Sequence, residues 1–150
     1  MNPSQFCDVA GFLLAAKPTD PASVRSAVSR TYYALYHVVA ERLVAAGIRL
    51  PIKRAECHEL VFRILAGAGA DELKTIALSL NDLRHQRNRA DYEMDDPRIE
   101  SAARAKITLE GTRTRISRFN TLCEDEAAMT SNWNAMKDAA RREQLVVTEQ

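Results

Sequence analysis

The chain has 150 residues, of which 46% are hydrophobic and 27% charged, a composition that is typical of one globular domain and excludes wholesale disorder. Its 21 lysines and arginines against 20 acidic residues give a net charge of +1, so a nucleic-acid site would have to be a local patch rather than a global basic field. Five glycines and five prolines are few for a turn-rich β-sandwich.

The three cysteines are odd in number and scattered, a pattern typical of a reducing compartment without a disulfide framework or a zinc knuckle. No apolar run approaches the roughly 18 residues that span a membrane, and residues 1–5 lack the basic side chains of a signal peptide. The sequence contains no phosphate-binding loop, dinucleotide fingerprint or HExxH metal motif. We therefore expect a cytoplasmic protein with no membrane partner and with no cofactor or metal.

Apolar residues recur at helical spacing from the start of the chain, which predicts a first helix ending near Lys17. Asp20 and Pro21 then form a helix start, because aspartate caps the first turn and proline fits its first position. The long apolar stripe that follows predicts a second helix ending near Gly47. A shorter third helix is expected to close at residues 67–69.

The stripe resumes in a fourth helix, predicted from about Asp71 to Met94. The pair Asp96–Pro97 repeats the helix-start signal, so we expect a fifth helix from that point to about Leu122. Short connections between successive helices favour antiparallel neighbours. The predicted fold is an all-α, up-and-down antiparallel helical bundle of four to five core helices over residues 1–122.

Residues 123–150 are more polar, and their apolar stripe of Trp133, Met136 and Ala140 is weak. We expect a C-terminal helical extension, partly flexible, which is frayed or depends on a partner and in which Val146–Gln150 is loose. Its polarity and its single tryptophan fit either a packed extra helix or a partner-binding tail.

Residues 81–93 of the fourth helix combine arginines, a histidine, asparagines, carboxylates and a tyrosine. Helical spacing places Arg84, Asn88 and Asp91 on one face, and Arg87 lies four residues before Asp91, where an exposed ion pair gains only a few tenths of a kcal/mol. A solvated charged face is the simplest interpretation. Asparagine and aspartate are nevertheless unfavourable in the middle of a helix, which indicates that these residues have a role other than a structural one.

Three of the four tyrosines fall within five residues of the second helix, at Tyr32, Tyr33 and Tyr36, and His37 follows them. A buried tyrosine usually needs a hydrogen-bond partner for its hydroxyl, and the arginines and carboxylates of the fourth helix could supply one. The alternative is an ordinary aromatic seam in the core.

Both segments resemble signatures of one family. Residues 29–37 match the SRxYYAxxH signature of HEPN domains, and residues 83–92 match the LRxxRNxADY signature of the same family. Residues 57–61 look like the histidine-containing start of the helix between them. The resemblance covers about residues 5–120, and the two motifs in this order and spacing are more specific than either motif alone.

The resemblance implies a bundle of four or five helices, often a homodimer with a polar cleft at or near the subunit interface. Many HEPN proteins are metal-independent ribonucleases that act as toxins, defence effectors or RNA-processing domains. Others are thought to bind nucleotides or to work beside a minimal nucleotidyltransferase partner.

The catalytic form of the family has an arginine, four to six further residues and then a histidine. Here Arg87 and Asn88 match, but Tyr92 and Met94 stand at positions where the histidine is expected. Tyrosine is a poor general base, since its ordinary pKa is about 10 against about 6.5 for histidine. The sequence therefore keeps the phosphate-binding half of such a site and lacks its proton-transfer half.

The sequence leaves three functional hypotheses open. The first is a HEPN-like protein that binds RNA or a nucleotide through a polar cleft, in a toxin–antitoxin, stress or defence system. The second is an active metal-independent ribonuclease in which Tyr92, His37 or His58 replaces the missing histidine. The third is a non-catalytic dimerisation or interaction module, because a buried polar network can fix the register of helices.

The candidate site residues come from both motifs. The candidate catalytic residues are Arg87, Asn88 and Tyr92. The candidate contacts to RNA or a nucleotide are Arg84, Arg87, Asp91, Tyr33, Tyr36 and His37. The expected partners are a second copy of the chain, RNA or a nucleotide, and a protein of nucleotidyltransferase type.

Overall fold

Six α-helices and one 3-10 helix make up the fold in the computed structural model, which describes residues 2–148. The α-helices are α1 (Gln5–Ala16), α2 (Pro21–Ala45), α3 (Cys57–Ala66), α4 (Asp71–Tyr92), α5 (Ala102–Glu124) and α6 (Glu126–Arg142), and the 3-10 helix is Pro97–Glu100. The predicted all-α helical bundle is confirmed. Over the described residues, no helix is both long and apolar enough to cross a membrane.

Helix α2 lies at the centre of the bundle and packs against α1, α3, α4 and α5. Its apolar stripe, which includes Leu35, Val39 and Leu43, is fully buried in the core. The helix starts as the sequence predicts, since the Asp20 carboxylate accepts a hydrogen bond from the Ser23 backbone N–H at 3.0 Å. From this central position, α2 brings its tyrosines to α3 and α4 and Arg25 to the end of α4.

Arg25 of α2 determines how α4 ends. Arg25 is 7% exposed, and its side chain donates to backbone carbonyls in and just beyond the last turn of α4, which would otherwise lack partners. The accepting carbonyls belong to Arg89, Ala90, Glu93, Met94 and Asp96. A further bond joins Nε of Arg25 to Glu100 at 3.0 Å. Helix α4 therefore stops at Tyr92, two residues before the predicted end.

The fifth helix begins later than predicted. Asp96 and Pro97 start the short 3-10 helix instead, because the buried Asp96 carboxylate is committed to Arg89 and Arg98. The hydrogen bonds from Arg98 and Arg89 hold the pKa of that carboxyl well below its usual range. Ser101 then caps α5, its hydroxyl accepting from the Arg104 backbone N–H at 3.3 Å.

The C-terminal segment packs on the bundle through α6. Met129 and Met136 belong to the core, and α6 packs against α3 and α5. After α6, the Arg49 N–H donates to the Val146 carbonyl at 3.0 Å and the Thr148 N–H to the Gly47 carbonyl at 2.9 Å. Val146–Thr148 thus differs from the loose end expected for Val146–Gln150, because these backbone groups find partners in the loop after α2. Positions 149 and 150 of that prediction lie outside the described residues.

Candidate functional site

Arg87 lies on the face of α4 that contacts α2. Its Nε atom lies 2.7 Å from a carboxylate oxygen of Asp91, which confirms the ion pair predicted from their spacing. Its Nη2 atom donates to the Tyr33 hydroxyl at 2.9 Å, and its Nη1 atom donates to the side-chain oxygen of Asn88 at 3.1 Å. Residues of both sequence motifs therefore meet at one guanidinium group.

Two aromatic rings lie against the same guanidinium. Its central carbon is 5.5 Å from the ring centroid of Tyr33 and 5.4 Å from that of Tyr92, both within the range of cation–π attraction. Tyr33 is half-buried, whereas Tyr92 is 71% exposed. We call Arg87, Asn88, Asp91, Tyr33 and Tyr92 the Arg87 cluster.

Asp91 connects the Arg87 cluster to a second point on α2. Its other carboxylate oxygen accepts a hydrogen bond from the Ser29 hydroxyl. Ser29 and Tyr33 are one helical turn apart, so the two contacts clamp the end of α4 onto α2. The Arg87 cluster thus stabilises the packing of α4 on α2, in addition to any role in binding.

His37 lies next to the Arg87 cluster, between two rings. Its ring stacks on Phe6 of α1 at 5.6 Å between centroids and on Tyr33 at 5.9 Å. Burial lowers the pKa of His37, and the charge of Glu41 opposes that shift. No sequence pattern indicates that Phe6 lies at this site, since its helical spacing indicates only a core position.

His58, at the start of α3, lies among the tyrosines of α2. Its Nδ1 atom is 2.7 Å from the Tyr32 hydroxyl, and its ring centroid is 4.4 Å from that of Tyr36. Burial lowers the pKa of His58, and the positive charges of Arg87, His37 and Arg84 lower it further. These effects favour the neutral form of His58.

Two predicted contact residues lie apart from the Arg87 cluster. Arg84 points to α3, where its Nη1 atom is 3.5 Å from Glu59, a carboxylate that also binds Arg63. Tyr36 is 3% exposed and donates its hydroxyl to the sulfur of Cys57 at 3.3 Å. A ligand at the Arg87 cluster would not touch Tyr36 in this conformation.

The Arg87 cluster keeps some capacity for a ligand. Nη1 and Nη2 of Arg87 each carry two N–H groups and use one, so within residues 2–148 one on each nitrogen has no partner. Two such donors on one planar group match two oxygens of a phosphate. The exposed side chains of Asn88 and Tyr92 border this position. Among the described residues, no group of three or more His, Cys, Asp or Glu side chains is placed to hold a metal ion.

Comparisons with protein-family models, with curated proteins and with solved structures found no match to this chain.

Proposed function

We propose that this protein is a HEPN-like domain that binds RNA or a nucleotide through the Arg87 cluster. The observation that carries the proposal is the state of Arg87 itself. Its guanidinium is held by Asp91 and Tyr33, yet retains one N–H on each terminal nitrogen. The ligand phosphate would take these two donors, and a base would stack on the exposed ring of Tyr92.

The cluster suits a phosphate better than a bare surface arginine would. A guanidinium that is already held by neighbours loses less conformational entropy on binding than a free one. The side chain of Arg87 is 18% exposed, so its contacts lie partly out of water, where charge-assisted hydrogen bonds are stronger. The negative charge of Asp91 balances the positive charge of Arg87. We therefore expect a modest affinity for RNA or a nucleotide that falls as the salt concentration rises.

The biological setting stays a prediction of the resemblance. We propose action in a toxin–antitoxin, stress or defence system, as a homodimer and with a nucleotidyltransferase-type partner. Light scattering of the purified chain would test the dimer. Co-purification with the product of a neighbouring gene would test the partner.

Binding is tested by fluorescence anisotropy with a labelled single-stranded RNA of about 12 nucleotides and, separately, by calorimetry with ATP. Arg87→Gln is expected to weaken binding about tenfold or more, the value of a lost charged hydrogen-bond pair. Arg142→Gln removes the same charge from the exposed end of α6 and is the matched control. Equal affinities of wild type and Arg87→Gln for both probes would refute the proposal.

A second candidate, a ribonuclease with a displaced histidine, is favoured by the position of His58. Burial and the nearby charges of Arg87 and Arg84 lower its pKa, which favours a neutral imidazole beside these cationic groups. If Nδ1–H donates to Tyr32, Nε2 carries the free lone pair. It would then take the proton of an RNA 2′-hydroxyl, whose oxygen attacks phosphorus as the bond to the 5′-oxygen breaks. The 5′-oxygen takes a proton from water, and the products are a 2′,3′-cyclic phosphate and a 5′-hydroxyl.

Cleavage of RNA by the purified protein in EDTA tests this candidate. His58→Gln and Arg87→Ala are both expected to abolish cleavage, whereas Tyr92→Phe is expected to retain it. Cleavage that survives His58→Gln would exclude His58 as the base. No cleavage by folded wild-type protein over several RNAs would leave binding as the function that we propose.

A further inference from the structure

A cavity of about 480 Å³ opens between α4, the 3-10 helix and α5. It lies on a different side of α4 from the Arg87 cluster, since its lining residue Arg89 is two residues beyond Arg87 and about 200° further around the helix. Its volume falls in the range of roughly 300–1,000 Å³ typical of small-molecule sites. The proposed function makes no use of it.

Three arginines line this cavity, namely Arg89, Arg98 and Arg104. None of the described residues lining it is a carboxylate. The nearby carboxylate of Asp96 is shared by Arg89 and Arg98, and Glu93 lies 4.0 Å from Arg89. The lining itself carries only positive charges, and with Asp96 and Glu93 beside it the net charge around the cavity is +1.

The guanidinium groups keep donors for an anion. Arg89 and Arg98 each use Nε and Nη2 on Asp96, so within residues 2–148 the Nη1 atom of each has no partner. Arg104 makes no ion pair with any of the described residues. Because Asp96 is buried, it fixes Arg89 and Arg98 before a ligand arrives, which lowers the cost of binding.

The rest of the lining suits a ligand larger than a free anion. Val28 and Ile99 supply buried apolar surface, and Ile107 adds an isoleucine side chain that is 74% exposed. Gln86 and Thr108 bring polar side chains to the same wall. A mixed wall of this kind is typical of sites that orient an organic ligand by a few polar contacts.

We propose that this cavity binds a small phosphorylated organic molecule. Its phosphate lies against Arg89, Arg98 and Arg104, and its organic part covers Ile107. A concave site of this size favours a small molecule over a nucleic-acid strand, which would follow an open groove.

The test is a titration of the full chain, with isoleucine methyl groups labelled for NMR, using AMP as the probe and inorganic phosphate in a second arm. The methyl groups of Ile99 and Ile107 report on the cavity, and those of Ile48 and Ile64 in the core are internal references. AMP is expected to shift the first pair and leave the second pair in place. Inorganic phosphate is expected to bind the same position more weakly, because it makes no apolar contact.

Substitution of one arginine completes the test. Arg104→Gln is expected to raise the dissociation constant measured from Ile99 and Ile107 about tenfold. Lys106→Gln removes the same charge from the same helix but does not line the cavity, and it is expected to change nothing. The proposal is overturned if AMP shifts neither methyl group, if Arg104→Gln binds AMP like wild type, or if only single-stranded RNA shifts them.

Discussion

Arg87 of α4 donates a hydrogen bond to the hydroxyl of Tyr33 on α2, with 2.9 Å between Nη2 and the oxygen. The bond joins the two sequence motifs, which are far apart along the chain. The Tyr33 hydroxyl thereby holds the guanidinium on which the proposed binding depends. The ring of Tyr33 also stacks on His37 and makes a cation–π contact with the guanidinium of Arg87.

Tyr33→Phe removes the hydroxyl and keeps the ring, so it measures the contribution of the hydroxyl alone. Loss of the acceptor leaves one more N–H of Arg87 without a partner and removes the contact with α2, so we expect the free energy of unfolding to fall by about 1 kcal/mol. RNA affinity should fall several-fold because the guanidinium is no longer held. Urea denaturation and fluorescence anisotropy measure the two effects. An unchanged RNA affinity would show that the hydroxyl does not position Arg87 for binding.

Tyr92 is expected to act through its ring rather than its hydroxyl. Tyr92→Ala should weaken single-stranded RNA binding about tenfold, the value of one stacked base. Tyr92→Phe keeps the ring and should bind like wild type. Neither change should alter stability by more than about 0.5 kcal/mol, because the side chain is largely exposed. Equal binding by both variants would remove Tyr92 from the binding surface.

His58 should make the fold sensitive to mild acid. Its pKa is lowered in the folded protein, so below the ordinary histidine value of about 6.5 the unfolded chain binds more protons than the folded chain. Stability should therefore be complete well above that pH and fall as the pH drops through about 6.5 and then through the lower pKa of His58 in the folded protein. His58→Gln should reduce this slope, which urea denaturation at several pH values measures.

His37 contributes to the same pH window, since burial lowers its pKa as well. The stability of the double variant His37→Gln/His58→Gln should therefore depend less on pH than that of His58→Gln alone. His85→Gln, at an exposed position on α4, is the matched control. A slope unchanged by His58→Gln would contradict a lowered pKa of the half-buried His58 beside the arginines.

Arg25→Lys should be strongly destabilising although it keeps the charge. A lysine ammonium cannot reproduce the planar fork that reaches Glu100 and the carbonyls at the end of α4. We expect a loss of about 3 kcal/mol, as for other broken buried charge contacts. Arg30→Lys, at an exposed position on the same helix, is the control. If Arg25→Lys lowers the free energy of unfolding by less than Arg30→Lys does, Arg25 does not stabilise the end of α4.

Met136→Ala should show whether α6 belongs to the core. Met136 is fully buried, so the cavity left by truncation should cost about 2–5 kcal/mol. Met94→Ala is the matched control at an exposed position, with an expected effect below about 0.5 kcal/mol. If α6 were frayed or dependent on a partner, both variants would unfold like wild type.

Much of the fold could be predicted from local patterns. Asp20 and Pro21 mark the start of α2 because the cap and the first turn are set by adjacent residues. The end of α4 and the start of α5 could not be placed as well. The end of α4 depends on Arg25, whose partners lie 64 or more residues away, and the start of α5 depends on the contacts of Asp96 with Arg89 and Arg98. Local sequence patterns do not show such side-chain contacts. The same holds for α6, whose burial depends on its neighbours α3 and α5.

The candidate site was predictable to a similar extent. The ion pair of Arg87 and Asp91 follows from helical spacing, because residues four apart are neighbours on any α-helix. The positions of Phe6 and Glu59 were missed, since neither has a sequence signal that distinguishes it from core or surface residues. Glu59 draws Arg84 toward α3, and a helical wheel of α4 alone does not show this.

The most direct measurement of the central claim is made on one preparation of Arg87→Gln, by RNA titration and by urea denaturation under the same conditions. We predict a loss of RNA affinity of about tenfold or more while the fold is retained and the protein remains fully folded at the temperature of the titration. Unchanged RNA affinity accompanied by a loss of stability would contradict the claim. The Arg87 cluster would then serve only to clamp α4 onto α2.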